Sequence, residues 1–117
     1  MTLFEKYGGF STVSKIVMSF YDKILDSERV GDYFEDIDMQ NLIDHQTKFV
    51  ATLMGGPASY TNDVLKRVHA GLSIDAADFD EAAKLMQDTL TEFGVEHDDI
   101  RAIMHEIESR RSIIVTA

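Results

Sequence analysis

Residues 11–25 read STVSKIVMSFYDKIL and carry the clearest helical pattern in the chain. Apolar side chains recur there every three or four residues, which predicts a continuous stripe over about four turns of an α-helix. The stripe consists of Val13, Ile16, Val17, Phe20, Tyr21, Ile24 and Leu25. Ser11 has a side chain that can cap this helix, and Gly8 with Gly9 predicts a sharp turn before it. The segment therefore predicts a helix that packs into a hydrophobic core.

The same spacing continues along the rest of the chain, where one proline and seven glycines leave few breaks. Thr2 and Glu5 have the spacing of a capping box and predict a short first helix that ends near Tyr7. Further helical segments are predicted at residues 28–34, at 39–54 with Asp38 as the cap, from Thr61 or Asn62 to Gly71, from Asp75 or Asp78 to Gly94, and at 100–114. Residues 1–117 are therefore expected to form one all-α domain.

The composition excludes several classes of protein. The 117 residues include 21 acidic and 11 basic side chains, a formal net charge of −10 that argues against binding to nucleic acid or anionic lipid. The absence of cysteine excludes a disulfide framework, a thiolate metal cage and a cysteine nucleophile. No window approaches the roughly 18 apolar residues of a membrane span, and the first residues lack a signal-peptide pattern. We therefore expect a cytoplasmic protein that is not bound to membranes.

Two polar side chains fall on predicted apolar faces. Gln46 lies about 40° from Leu42 around the helix predicted at 39–54, within its apolar face. An unsatisfied buried amide costs roughly 1–3 kcal/mol, so Gln46 either bonds to a neighbouring group in the core or donates to a ligand in a cavity. Tyr21 raises the same alternatives, because its hydroxyl would be carried inward with the ring. Together the two side chains could converge on one small polar ligand in an apolar pocket.

Two histidines occupy similar positions. His69 flanks the apolar face of a short predicted helix, where it is either a satisfied, partly buried residue or a metal ligand. A lone imidazole without a cysteine cluster suits an iron that a porphyrin already holds by four nitrogens. His45 lies about 60° from Leu42, at the edge of the inward face, and can either extend to solvent or turn inward.

This set of residues resembles the truncated haemoglobins, and among them the first group. The matching pieces are Leu3-Phe4-Glu5-Lys6-Tyr7-Gly8-Gly9, Phe20-Tyr21, Tyr33-Phe34, Asp38-Met39, His45-Gln46-Thr47-Lys48-Phe49, Gly55-Gly56-Pro57 and Val68-His69. Each piece is unspecific alone, whereas their order and spacing from about residue 2 to residue 115 are specific. The resemblance implies a two-over-two helical sandwich, a shortened globin whose helix pairs enclose haem b (iron protoporphyrin IX).

The resemblance also implies roles for individual residues. His69 matches the proximal iron ligand of the family, and Phe34 matches the phenylalanine that stacks on the haem. Tyr21 and Gln46 match the distal pair that donates hydrogen bonds to bound dioxygen, and Leu42 stands where vertebrate globins carry the distal histidine. His45 corresponds to a histidine that binds the iron from the distal side in cyanobacterial relatives.

Further residues are expected to surround the haem. Ser109 stands where those relatives carry a histidine that attaches covalently to a haem vinyl group, so a covalent link is not expected. Apolar contacts with the ring are expected from Phe49, Leu53, Leu72, Phe79 and Leu90, all of which would also suit an ordinary core. Lys48, Lys66 and Arg67 are candidates to meet the haem propionates, the alternative being ordinary surface charge.

The expected function is reversible binding of dioxygen and other diatomic gases, including carbon monoxide and nitric oxide, by a monomeric haem protein. Nitric oxide dioxygenation is the activity to test, with Tyr21 and Gln46 as its catalytic residues and an electron-donating reductase as a partner. One alternative is a six-coordinate bis-histidine protein, with His45 as second ligand, that transfers electrons or scavenges reactive nitrogen and oxygen species. Another is a helical interaction module without a cofactor, in which Tyr21, Gln46 and His69 bond internally.

Overall fold

A computed structural model describes residues 1–57, 62–69 and 73–116. In these residues all regular structure is helical, which confirms the predicted fold class. The helices are α1 (Leu3–Lys6), α2 (Gly9–Asp26), a 3₁₀ helix (Gly31–Phe34), α3 (Met39–Leu53), α4 (Asn62–His69), α5 (Ala76–Glu92), α6 (His97–Glu108) and α7 (Arg111–Ile114). None of the described helices combines the length and the apolar character that crossing a membrane requires.

Three predicted helix caps are confirmed. Thr2 Oγ1 accepts a hydrogen bond from the Glu5 amide at 3.1 Å, and the Glu5 side chain accepts from the Thr2 amide at 3.4 Å, which completes the capping box of α1. Asp38 accepts from the Asn41 amide at 3.3 Å at the start of α3. Asp75 does the same for α5 through the amide three residues later. These caps satisfy backbone donors that a helix leaves without intrahelical partners.

The start of α2 differs from the prediction. The helix begins at Gly9, and Ser11 lies inside it rather than at its cap. The reason is Gly8, which occupies the N-cap position with a φ of 104°, a left-handed conformation that favours glycine. A Cβ atom at Gly8 would also lie 2.5 Å from the Thr12 hydroxyl oxygen. The chain therefore turns at Gly8 and enters the helix directly.

The last predicted helix is divided in two. Instead of one helix at 100–114, α6 ends at Glu108 and α7 begins at Arg111. At the break, the Ser109 hydroxyl and the Arg110 guanidinium both donate to the Glu106 carbonyl, each at 2.7 Å. Side chains that satisfy the last carbonyls of a helix stabilise its end. The local side chains thus separate α7 from α6.

The core forms where α2 packs between α3 and α5. The buried residues of α2 are Val13, Ile16, Val17, Tyr21 and Ile24, as the stripe predicts. Phe20 is half-buried, and Leu25 is 47% exposed, whereas Ile24 is 2% exposed. Neighbouring residues lie about 100° apart around a helix, so Leu25 turns away from the core that Ile24 faces. The prediction that Leu25 belongs to the buried stripe was wrong.

Side-chain bonds hold α1 against the start of α6. The Tyr7 hydroxyl donates to Asp99 Oδ2 at 2.5 Å and accepts from the Glu96 amide at 3.0 Å. Lys6 Nζ lies 2.7 Å from Asp99 Oδ2 and 3.1 Å from Glu96 Oε2. Burial and the hydrogen bond to Asp99 raise the pKa of Tyr7 above its ordinary value. The short first helix is therefore anchored by a polar cluster at its end.

Candidate functional site

A cavity of about 510 Å³ lies among α2, the 3₁₀ helix, α3, α4 and α5, with α6 and α7 closing it. Its walls are mainly apolar. On α2, the 3₁₀ helix and α3 they include Phe20, Tyr21, Ile24, Tyr33, Phe34, Leu42, His45, Gln46, Phe49 and Leu53. On α4 to α7 they include Val64, Leu65, His69, Asp78, Phe79, Ala82, Ala83, Met86, Ile107 and Ile114. Apolar cavities of this size with few polar groups are typical of small-molecule and cofactor sites.

Most of the residues singled out in the sequence line this one cavity. They are Tyr21, Phe34, Leu42, His45, Gln46, Phe49, Leu53, His69 and Phe79. They come from α2, the 3₁₀ helix, α3, α4 and α5, so the fold brings together side chains that are far apart in the sequence. The structure thus places them in a common site, while the role of each residue stays a prediction.

Four other predicted residues lie elsewhere. Lys48, Lys66 and Arg67 are exposed and are not among the cavity-lining residues, so a contact with haem propionates stays a prediction. Lys48 lies about 120° from Leu42 around α3, which turns it away from the cavity. Leu90 is fully buried in the core instead of lining the cavity. It shares a face of α5 with Phe79 but lies about 16 Å further along the helix axis.

The predicted contact of Leu72 with the haem lies outside the described residues, as does the end of the helix predicted to reach Gly71. The segment 28–34, predicted as a short helical piece, forms the 3₁₀ helix over its last four residues only. That helix nevertheless carries Phe34 into the cavity wall.

Aromatic contacts place Tyr21 and Phe34 together at one side of the cavity. Tyr21 is 5% exposed, because it lies on the buried stripe of α2. Its ring packs edge-on against Phe34 with centroids 5.6 Å apart, and against Phe20 at 5.0 Å. Such contacts fix the orientation of the rings. The ring of Tyr21 is therefore held in place next to the cavity.

The α3 wall carries Gln46 one turn after Leu42. Gln46 is half-buried and lines the cavity, in agreement with its place on the inward face. His45 also lines the cavity, although its side chain is largely exposed. A position at the edge of the inward face accounts for both properties. The α3 wall thus presents an amide and an imidazole to a mainly apolar space.

His69 is the last residue of α4 and is oriented by its own helix. Its Nδ1 lies 2.8 Å from the Leu65 carbonyl oxygen. A carbonyl only accepts hydrogen bonds, so Nδ1 carries the proton and Nε2 keeps its lone pair. Burial lowers the pKa of His69 more than the Leu65 carbonyl raises it, which favours the neutral ring. No described residue engages Nε2, the nitrogen that a metal would use.

Several cavity residues on α5 were not predicted from the sequence. Phe79, Ala82, Ala83 and Met86 line the cavity at helical spacing, and that spacing was a signal for all four, whereas only Phe79 was assigned to the site. Asp78 lines the cavity as well and is buried, although the sequence suggested it only as a cap. Its partner is Tyr33, 45 residues away, so no local pattern could have revealed the pair.

The Tyr33–Asp78 contact affects the chemistry of the tyrosine. The Tyr33 hydroxyl donates to Asp78 Oδ2 at 2.5 Å. This bond, together with burial, raises the pKa of Tyr33 from 10.0 to about 12, because ionisation would place two negative charges side by side. Arg29 Nε lies 2.6 Å from Asp78 Oδ1 and compensates the buried carboxylate. Tyr33 therefore stays a neutral donor at ordinary pH.

Two arginines near the C-terminus lie over the phenylalanines of the cavity wall. The Arg111 guanidinium carbon is 4.6 Å from the centre of the Phe79 ring, and that of Arg110 is 5.8 Å from Phe49. Cation–π contacts at these distances are attractive. Arg111 also pairs with Asp80 and Glu108, which links α7 to α5 and α6. These arginines support the wall from the C-terminal segment.

Comparison with known proteins identifies the family. A family model described as bacterial-like globin matches residues 2–115. The group 1 truncated hemoglobin of Tetrahymena pyriformis is 34% identical over 110 residues, which covers 94% of this chain and 91% of the relative. The crystal structure of truncated hemoglobin from Tetrahymena pyriformis in the Fe(III) form aligns with a TM-score of 0.90 and 32% identity over 98% of each chain. The 2/2 hemoglobin of Synechococcus sp. PCC 7002, in the cyanomet state with covalently attached heme, aligns with a TM-score of 0.92 and 28% identity over 100% of each chain.

These similarities confirm two expectations from the sequence. The two-over-two arrangement of helices is shared with the solved truncated hemoglobins. The family resemblance drawn from the dispersed motifs is also correct, since the matched region spans nearly the whole chain. Globins bind haem and, through it, diatomic gases such as dioxygen, and the cavity described above is consistent with that chemistry. The chain therefore belongs to the bacterial-like globin family, as a group 1 truncated haemoglobin.

Proposed function

We propose that this protein holds haem b in the cavity, with His69 as the iron ligand, and binds dioxygen and other diatomic gases reversibly. The observation that carries the proposal is the geometry of His69. Its Nδ1 lies 2.8 Å from the Leu65 carbonyl oxygen, which fixes the orientation of the ring. His69 lines the cavity, and burial lowers its pKa. An imidazole oriented in this way presents the Nε2 lone pair to a metal.

The rest of the cavity suits a porphyrin. Its volume of about 510 Å³ lies within the range of cofactor sites, and phenylalanine and tyrosine side chains line it from four elements, α2, the 3₁₀ helix, α3 and α5. Phe34, Phe49 and Phe79 supply flat apolar surfaces for a flat apolar ring. When bound, haem supplies an iron centre that binds gases and changes oxidation state. The chain supplies the ligand, the walls and the polar groups near the gas.

Tyr21 and Gln46 are the proposed donors to the gas. Both line the cavity, and the ring contacts of Tyr21 hold it in a defined orientation. A hydroxyl and an amide N–H can stabilise the partial negative charge of a bound ligand, and the apolar surroundings strengthen these bonds. The two side chains would therefore slow the loss of dioxygen, which gains negative charge when bound, more than the loss of carbon monoxide.

Absorption spectra test the haem proposal. We expect a strong Soret band in the ferric, dithionite-reduced and carbonmonoxy forms, and a weakened or shifted band in His69→Ala. His97→Ala is the matched control, because His97 is exposed at the start of α6 and does not line the cavity. Absence of haem uptake after addition of hemin would contradict the proposal and favour a cofactor-free helical module.

Nitric oxide dioxygenation is the proposed activity, in which dioxygen and nitric oxide combine to give nitrate. Each turnover leaves ferric iron, so the proposal includes a reductase that supplies one electron. Tyr21 and Gln46, as donors to the gas, are its proposed catalytic residues. Stopped-flow mixing of the oxygenated protein with nitric oxide should give fast oxidation to the ferric form together with nitrate. Slow oxidation would contradict this activity and would leave reversible gas binding as the proposed function.

A second candidate rests on the position of His45. Because His45 lines the cavity from α3, it would be available as a second iron ligand, which would give a six-coordinate protein for electron transfer or for scavenging reactive species. The deoxy ferrous spectra of the wild-type protein and His45→Ala distinguish the two candidates. A six-coordinate spectrum that becomes five-coordinate in the variant supports His45 as a ligand. Identical spectra remove it from the iron.

A further inference from the structure

A buried carboxylate joins two elements of the cavity wall. Asp78, in the first turn of α5, is 9% exposed. Its Oδ2 accepts the hydrogen bond from Tyr33 at 2.5 Å, and its Oδ1 pairs with Arg29 Nε at 2.6 Å. Both partners precede α3, Tyr33 in the 3₁₀ helix and Arg29 just before it. With both oxygens engaged, the carboxylate holds this segment against α5 and is itself satisfied.

Two further contacts join the same pair of segments. The Ser27 hydroxyl donates to Glu81 Oε2 at 3.2 Å, one turn further along α5. Arg29 also lies 3.5 Å from Asp75 Oδ1, at the cap of α5. Asp78 is the most buried acidic member of this group, so its bonds are the least weakened by solvent. The segment from residue 27 to residue 33 is thus fixed to the first two turns of α5.

The Tyr33–Asp78 hydrogen bond lies directly beside two phenylalanines of the cavity wall. Tyr33 precedes Phe34, and Asp78 precedes Phe79, and all four residues line the cavity. Phe34 in turn packs against Tyr21, the proposed donor to the gas. Loss of the Tyr33–Asp78 bond would therefore change the spacing between the 3₁₀ helix and α5. Phe34 and Phe79 would shift with it, because each is the next residue after one member of the bond.

We infer that Asp78 is a positioning residue for the cofactor, acting through Tyr33 and Arg29 on the phenylalanines of the wall. This inference rests on the haem proposal above. The carboxylate holds Phe34 and Phe79 in place on the cavity wall, and so slows haem loss and fixes the orientation of the ring in its aromatic surroundings. The side-chain partners of Asp78 in the described residues are Tyr33 and Arg29, so its effect on the cofactor would be indirect.

A second tyrosine–aspartate hydrogen bond, between Tyr7 and Asp99, serves as a matched control for the loss of stability that removing such a bond causes. Tyr7 donates to Asp99 Oδ2 at 2.5 Å, the same distance and the same chemistry as in the Tyr33–Asp78 pair. The Tyr7 pair joins α1 to α6, and neither member lines the cavity. Removing one hydroxyl from each pair, by Tyr33→Phe and by Tyr7→Phe, therefore separates a general loss of stability from an effect on the cofactor.

The experiment compares five ferric haem-loaded proteins: the wild type, Tyr33→Phe, Asp78→Ala, Asp78→Asn and Tyr7→Phe. The rate of haem transfer to an excess of a haem-binding apoprotein gives haem loss, and Soret circular dichroism reports the placement of the ring among aromatic side chains. We expect haem loss to be about tenfold faster in Tyr33→Phe and Asp78→Ala, since hydrogen bonds to charged groups are strong, and within about twofold of the wild type in Tyr7→Phe.

Asp78→Asn supplies the conservative rescue. Its amide oxygen can still accept from Tyr33, so it should lose haem more slowly than Asp78→Ala and keep a Soret dichroism closer to that of the wild type. The inference is overturned if Tyr33→Phe matches Tyr7→Phe in both readouts, an outcome that does not depend on whether Asp78→Ala folds. A wild-type protein that takes up no haem would instead contradict the proposed function itself, and this inference with it.

Discussion

The α3 and α5 walls of the cavity differ in what they present to it. On α3 the polar side chains of His45 and Gln46 lie in the middle of the helix, among apolar neighbours. On α5 the side chains after the first turn are apolar, and the one polar group on that wall, Asp78, is bonded to Tyr33. The difference is consistent with the proposed roles, in which α3 donates hydrogen bonds to the gas and α5 maintains the shape of the site.

Truncating one phenylalanine on each wall gives the largest expected effects. Phe49 on α3 belongs to the main cluster of core residues, whereas Phe79 on α5 is buried outside that cluster. We expect Phe49→Ala to lower the free energy of unfolding by about 3–5 kcal/mol and Phe79→Ala by about 2 kcal/mol, because fewer core contacts are lost at Phe79. Urea unfolding followed by circular dichroism measures both. Equal losses would show that α5 is as much a part of the core as α3.

Replacing Gln46 on α3 is expected to have a smaller effect, on the rate at which dioxygen dissociates. Gln46→Leu removes the amide but keeps a side chain of similar size, so we expect dioxygen to dissociate about tenfold faster while carbon monoxide dissociation changes little. Met86→Leu on α5 is the matched control, and its dissociation rate should stay within about twofold of the wild type. Flash photolysis and stopped-flow mixing give these rates. A similar change in both variants would contradict the division of roles.

The hydrogen bond of Tyr33 to Asp78 predicts an effect on stability that appears only at high pH. The pKa of Tyr33 is raised from 10.0 to about 12 in the folded protein, so the neutral form is stabilised by folding. The contribution of Tyr33 to stability is therefore complete below pH 10 and is lost as the pH rises through 12. The difference in free energy of unfolding between the wild type and Tyr33→Phe should shrink over that interval. A difference that stays constant from pH 8 to pH 12 would show that Tyr33 does not titrate in this way.

The features that the sequence reveals are those set by spacing within a single helix. Gln46 was found because an amide interrupts an apolar face, a signal contained within one helix. The caps Thr2, Asp38 and Asp75 were found for a similar reason, since a cap and its amide lie three residues apart. These local interactions depend on spacing along the chain alone.

The features that were missed depend on the fold. The Tyr33–Asp78 bond joins residues 45 positions apart, and the position of Arg111 over Phe79 depends on how α7 meets α5. Leu25 was misassigned because spacing identifies an apolar stripe but not how far around the helix the core extends. Tertiary contacts, which decide these points, become visible only when the helices are packed.

The central claim is that His69 is the ligand through which the cavity holds haem iron. The most direct measurement is the absorption spectrum of hemin-treated His69→Gly with and without imidazole in solution. We predict weak, altered haem binding without imidazole and recovery of the wild-type ferric and reduced spectra when free imidazole occupies the space of the side chain. A His69→Gly protein whose spectra equal those of the wild type without imidazole would contradict the claim, and so would one that imidazole leaves unchanged.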